Sequence, residues 1–423
     1  MEIINNYGTD QKIYVETLEN GLKVVLLPFE NKKNYYVSYT AKYGSVDLDF
    51  IDSDGNKVSS NKGIAHFLEH KLFETESGED PFEFFSKTGT GCNAGTSYKK
   101  TSYFIYGVNS IEENLNYLID FVNTPYFTDE NVEKEKGIII EEIKMYDDNP
   151  EWIITEQIQN STFKNHPIKY DIAGYVDTVE SITKEDLYTC YNTFYQPSNM
   201  FLVVSGGFDV DKVMNVIKNN AVLSSRNSKF SITKKKVKEP VEITEKFRII
   251  KHPSIETPKI SINIKLSFSN EKDKYEYYLY INALMSILFG SSSDFKEEMI
   301  SNGYITYLST GRLIIDDYLI LEFYAEGTNY EKFIKGIEEC IENKEITEEE
   351  FERYKKVLIA SIVMTSDDVS SSADEIIDDI ITWKDIINNK VELIKKMDFK
   401  KFKSIRKNTD FSNMATVVLT KED

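Results

Sequence analysis

"FTDENVEKEKGIIIEEI", residues 127–143, has a partial twin at residues 346–362, "ITEEEFERYKKVLIASI". Each opens with a Thr and acidic side chains, which suit a helix N-terminus, and continues with apolar residues at helical spacing. Each also follows another helical pattern, "ENLNYLIDFVN" in the first case and "EKFIKGIEECI" in the second. Further on, "PSNMFLVVSGG" (197–207) matches "FSNMATVVLT" (411–420), with Ser-Asn-Met leading into a β-branched run. The offsets are 219 (346 against 127) and 214 (412 against 198). Two matches in one order at nearly one offset point to an internal duplication.

The halves join near "SSRNSKFSITKKKVKEP" (224–240), a polar, basic stretch ending in Pro. In the first half "KVVLLP", "YYVSYTAKYGS", "TSYFIYGV" and "MFLVVSG" have strand character. In the second half "ISINIKLSF", "YLILEFYAEG" and "MATVVLT" do. The expected fold is α+β, two homologous domains that each pack helices on a largely antiparallel sheet. The expected boundaries are 1–225, a linker at 226–242, and 243–423.

The chain has 423 residues, 41% hydrophobic and 13% aromatic, enough for a sizeable core in each domain. Its 50 Lys and Arg stand against 70 Asp and Glu, a formal charge of -20. So acidic a surface disfavours nucleic acid and favours basic partners or basic peptides. Cys92, Cys190 and Cys340 are scattered and form no C-x-x-C pair, which suits a reducing, cytoplasmic compartment. No apolar run reaches the length needed to span a bilayer, and no signal peptide is evident, so no membrane partner is expected.

Two of the four histidines lie in "GIAHFLEHKLFE", residues 63–74. On a helix His66, Glu69 and His70 share one face, and Ile64, Phe67, Leu68 and Leu72 turn elsewhere to pack. Two imidazoles one turn apart can clamp a metal ion. The carboxylate beside them is better placed to take a proton from the attacking water than to bind the same ion. A core helix with two satisfied histidines is the bland alternative. A catalytic centre needs a third ligand. The duplicated helix offers Glu135 and Glu142, two turns apart on one face, with Glu141 as a rival. Their counterparts in the second copy are Tyr354 and Ser361, and the region matching the histidine helix, "NALMSILFGSS", has no His.

These motifs, with "LENGLKVVLLP", "GTGCNAGTSYKKTSYFIYGV" and "SITKEDLYTCYNTFYQPSNMFLVVSGGF", resemble the pitrilysin/insulinase zinc peptidases over nearly the whole chain. The resemblance implies a metalloendopeptidase with Zn2+ on His66, His70 and Glu142, Glu69 as general base, and Glu135 supporting the ligands from behind. It implies that Asn93 and Ala94 grip a peptide backbone along a sheet edge. Taken alone, "NAG" is only a turn-like string before a strand. The family's fold is one half of a clam-shell chamber that admits unfolded peptides.

Self-sufficient members carry an Arg and a Tyr in their second half. Here those positions are Met299 and Thr306, with Tyr304 and Tyr307 close by. The resemblance therefore implies a homologous partner subunit, in a heterodimer, that supplies the pair. Leader-peptide or small-peptide processing is the expected task. A non-catalytic peptide-binding or scaffold subunit of the same fold is the alternative.

Overall fold

The structure, a computed structural model, describes the chain apart from residues 7, 10, 228–230, 269–272 and 423 and the side chain at 147. Residues 228–230 of the expected linker therefore lie outside the described part. The first sheet has seven strands: β1 (Glu2–Asn5), β2 (Lys12–Thr17), β3 (Lys23–Pro28), β4 (Tyr35–Ala41), β5 (Gly91–Thr96), β6 (Thr101–Gly107) and β7 (Met200–Gly206). Their order is β1-β2-β3-β7-β4-β6-β5. The second has β8 (Phe247–His252), β9 (Lys259–Ser267), β10 (Tyr307–Ile315), β11 (Tyr318–Glu326) and β12 (Met414–Lys421), ordered β8-β12-β9-β11-β10.

The second order repeats the first from β3 to β5. In each sheet one pair is parallel, β3 with β7 and β8 with β12, and the pairs that follow it are antiparallel. The duplication read from two short stretches is thus a duplication of topology. A small third sheet joins Asp49–Ile51, Lys57–Ser59 and Thr233–Lys234.

Six helices matter for the site and the core: α1 (Ile64–Lys71), α2 (Asp129–Asp147), α3 (Pro150–Thr162), α4 (Lys274–Phe289), α5 (Glu348–Ser366) and α6 (Val369–Thr382). The chain forms two compact units. One comprises residues 1–145, 170–236 and 363–389, and the other 146–169, 237–362 and 390–423. These units depart from the sequential halves 1–225 and 243–423. Residues 146–169, with α3, belong to the second unit, and residues 363–389, with α6, belong to the first.

The reason lies in the sheets, which are apolar on both faces. β7 is buried along its whole length, and burial on both faces requires helices on both. In the first unit Ala373, Ile376, Ile377 and Ile380 of α6 cover Val25, Leu27, Phe201 and Val203. In the second, Ile154 and Ile158 of α3 cover Ala415, Val417 and Leu419. Both covering helices start just after a 19-residue helix, which carries the chain roughly 28 Å. The expected linker is also not free. Lys234 pairs with Asp47 at 2.7 Å within the first unit, and Lys265 with Glu239 at 2.8 Å within the second.

Candidate metal centre

α1 is preceded by Gly63, whose φ is +87°. A Cβ there would lie 2.3 Å from the Ala173 carbonyl oxygen, so the entry to the helix needs glycine for both backbone angle and space. Ile64, Ala65, Phe67 and Leu68 are buried in the core of the first unit. That anchoring turns His66, Glu69 and His70 together toward α2, where Val132, Ile139 and Ile143 bury the opposite side.

Ligand atoms of His66, His70 and Glu142 all lie within 4.8 Å of one another. His66 Nε2 is 3.9 Å from Glu142 Oε1, and His70 Nε2 is 3.7 Å from Glu142 Oε2. Both distances are too long for hydrogen bonds. They are close to the edge of a zinc tetrahedron, about 3.3 Å for ligands about 2.0–2.1 Å from the ion. Two imidazoles and one carboxylate also match a donor set that leaves a fourth position open. The residues therefore fit a zinc ion.

His70 Nδ1 lies 3.0 Å from Glu135 Oε1. A proton on Nδ1, donated to that carboxylate, leaves the Nε2 lone pair directed at the centre. Burial and the neighbouring His70 push His66 down to about 3, so its ring is neutral, as a ligand must be. Burial also opposes a charge on His70. The Glu135 hydrogen bond and the charges of Glu69, Glu135 and Glu142 together outweigh it and raise the His70 value. Glu69 is only 8% exposed. Its burial raises the carboxyl above the usual range, against the opposing bond from Thr96. Thr96 Oγ1 donates to Glu69 Oε2 at 2.7 Å.

Glu141, the rival to Glu142, is exposed and accepts from Lys144 Nζ at 2.8 Å. Asn93 and Ala94 lie in β5, the outer strand of the first sheet. "NAG" is therefore part of a strand and not a turn preceding one. Ladder hydrogen bonds with β6 override its local turn preference. Met299 is buried in the second unit's core, and Thr306 is exposed immediately before β10.

Two participants were not singled out from the sequence. Thr96 carried no signal beyond its place in the "GTSY" string. Lys71 did carry one, as a lysine following the motif on a mostly apolar helix. It is fully buried, with Nζ 2.6 Å from Glu74 Oε2, 3.9 Å from Glu135 Oε2, and donating to the Asn131 carbonyl at 3.1 Å. The Lys71 amine thus lies beside the Glu135 carboxylate whose other oxygen faces His70 Nδ1.

Among the described residues no helix is long and apolar enough to cross a membrane. Residues 56–175 match the family model "Insulinase (Peptidase family M16)", and residues 181–358 match "Peptidase M16 inactive domain". The chain is 41% identical to the zinc protease YmfH of Bacillus subtilis over 298 residues, 70% of this chain and 69% of that one. It is 23% identical to the zinc protease PqqE of Helicobacter pylori over 354 residues, 80% of this chain and 77% of that one.

Among solved structures, one described as an M16-like peptidase of Alicyclobacillus acidocaldarius superposes with a TM-score of 0.90 at 28% identity, covering 97% of this chain and 99% of that one. The periplasmic protease PqqL of Escherichia coli shares the fold at a TM-score of 0.74 and 19% identity. There the match takes all of this chain and 48% of the longer one. With an H-x-x-E-H helix facing a glutamate helix, a duplicated sheet and relatives named as zinc proteases, the chain belongs to the insulinase family of peptidases, M16.

Proposed function

We propose that the chain is the zinc-bearing subunit of a metalloendopeptidase that cleaves unfolded peptides of modest length, in the cytoplasm. The convergence of His66, His70 and Glu142 with Glu69 beside them carries this reading. A bound zinc supplies Lewis acidity toward the scissile carbonyl and the attacking water. The chain's own groups do the rest. Glu135 and Lys71 hold the His70 ring in one tautomer. Thr96 fixes Glu69 through Oε2, and Oε1 takes the proton of the attacking water and returns it to the leaving amine. The outer strand β5 receives the peptide backbone beside Asn93 and Ala94 as an added strand.

A homologous partner chain completes the enzyme by supplying the Arg–Tyr pair. Met299 and Thr306 support this, since the first is committed to an apolar core and the second bears no ring. That PqqL carries this fold in about half of a longer chain also favours two such units working together. Leader-peptide or small-peptide processing is the task we assign, with basic peptides favoured by the charge of -20. The three cysteines, none of them in a disulfide, suit a reducing compartment.

The test is peptide hydrolysis by the purified chain, alone and with a homologous second chain, before and after chelation and zinc return. Chelator-sensitive hydrolysis that rises at least about tenfold with the second chain is expected. Full activity of the chain alone would sink the partner claim. Zinc binding without hydrolysis in either setting would favour a peptide-binding scaffold.

A further inference from the structure

The second unit holds, in the place of the metal centre, a cation of its own. The strand registers fix the correspondence. In the first sheet Met200 pairs with Ala41, Ala41 with Thr101, and Thr101 with Thr96. In the second, Met414 pairs with Ile264, Ile264 with Leu321, and Leu321 with Arg312. Met200 and Met414 are the matched methionines of the duplicated Ser-Asn-Met runs. Arg312 therefore occupies the position of Thr96, the residue that holds Glu69.

The surroundings repeat as well. α4 packs beside β10 in the second unit as α1 packs beside β5 in the first. Asn282 Nδ2 donates to the Tyr354 hydroxyl at 3.0 Å, and Tyr354 is the counterpart of Glu135. Arg312 Nη2 donates to Ser286 Oγ at 3.0 Å and reaches the Asn282 carbonyl at 3.5 Å. Tyr278 and Tyr354 are its other polar neighbours. The guanidinium is largely but not fully buried, and burial lowers its proton affinity.

Two facts make this cluster incomplete. Arg312 Nε is buried and has no hydrogen-bond partner. Among the described residues no carboxylate pairs with Arg312, although the chain holds 70 Asp and Glu. A buried cation without a counter-ion is strongly disfavoured, and a guanidinium keeps its charge. What the cluster lacks is an acceptor for the Arg312 Nε–H, and an anion is the partner a guanidinium donor binds most strongly.

We infer that Arg312, with Ser286 and the Tyr278, Asn282 and Tyr354 side chains, forms a carboxylate-binding site for a peptide, beside the outer strand β10 of the second sheet. The choice of a peptide as carrier of the carboxylate rests on the peptidase reading. The site itself does not use the metal centre. Such a site would hold a peptide by its C-terminal carboxylate or an acidic side chain.

The experiment follows the Arg312 Nε–H signal by NMR in the full chain labelled with 15N-arginine, assigned by its disappearance in Arg312→Lys. Three probes are titrated: N-acetyl-diglycine with a free carboxylate, its C-terminal amide, and N-acetylglutamate amide. The expected result is a saturable shift with the free acid, at least about tenfold weaker with the amide. A response to the glutamate probe as strong as that to the free acid assigns the site to side-chain carboxylates, and a weaker one assigns it to C-termini.

No shift with either acid up to about 10 mM, which corresponds to under roughly 3 kcal/mol of binding, would overturn the inference. So would equal shifts with acid and amide. Inorganic phosphate is run alongside, and a response to phosphate alone would also overturn it. The readout needs no turnover, so a chain that fails to hydrolyse peptides leaves this result interpretable. Thermal melting of Arg312→Lys and Arg312→Gln checks that both variants fold.

Discussion

The two units set the same architecture to different chemical uses. In the first, α1, α2 and β5 bring His66, His70 and Glu142 around one point, with Glu135 behind His70 and Thr96 holding Glu69. In the second, the corresponding elements bring Tyr278, Asn282, Ser286, Tyr354 and Arg312 together. The His70–Glu135 contact becomes an amide–phenol contact between Asn282 and Tyr354. Groups that leave lone pairs directed at a common point become groups that donate or that satisfy one another. The order of five strands, their one parallel pair and the presence of a covering helix do not change. The fold therefore does not require the metal-directed residues, and their presence in one copy alone calls for an explanation in chemistry.

The comparison would break most severely at the ligands. The wild-type chain is expected to hold one zinc, all of it in the first unit. His70→Ala or Glu142→Ala should lose that ion and reduce hydrolysis to background, as read by metal analysis after dialysis. Zinc retained at full stoichiometry in either variant would mean that the ion lies elsewhere. Glu69→Gln separates binding from chemistry: zinc should stay while turnover falls by roughly 10²- to 10⁴-fold. Near-normal activity in that variant would remove Glu69 from the mechanism. Glu135→Gln should weaken metal affinity or activity by about 10- to 100-fold, the usual effect of losing an outer hydrogen-bonding partner.

A smaller effect sharpens the contrast through a carboxylate of the second unit. Burial holds the Glu322 carboxyl at about 7, above its ordinary value of 4.5. Between those values the folded chain binds more protons than the unfolded one. Stability should therefore fall as pH rises from about 4.5 to about 7 and stay lower above that. Glu322→Gln should remove up to about 3 kcal/mol of this loss at pH 8 and change little at pH 4.5. Denaturant unfolding at the two pH values measures it, and equal stabilisation at both would rule out titration as the cause. Tyr354→Phe removes one hydrogen bond and should cost about 1 kcal/mol in the same measurement, with zinc content unchanged.

The strands with strong apolar or β-branched runs were readable in the sequence, because such residues specify a pleated, buried surface through their own pattern. Gly91–Thr96 and Tyr307–Ile315 were not. These are outer strands rich in small or polar residues, and ladder pairing rather than side-chain pattern defines them. The placement of α3 and α6 was also hidden. An amphipathic helix announces that it has an apolar face but not which sheet will cover it.

The sequence by itself determined the duplication, the helical periodicity that puts His66, Glu69 and His70 on one face, and the chemical asymmetry between the copies. Those are consequences of local spacing and residue type. Only the tertiary structure decided how closely Glu142 approaches the histidines, that Thr96 bonds Glu69 and Lys71 lies beside Glu135, and that Arg312 stands where Thr96 stands in the other copy. Each of these depends on the register between strands or on the angle at which one helix packs on another. Such relations join residues far apart in the chain, and no local pattern encodes them.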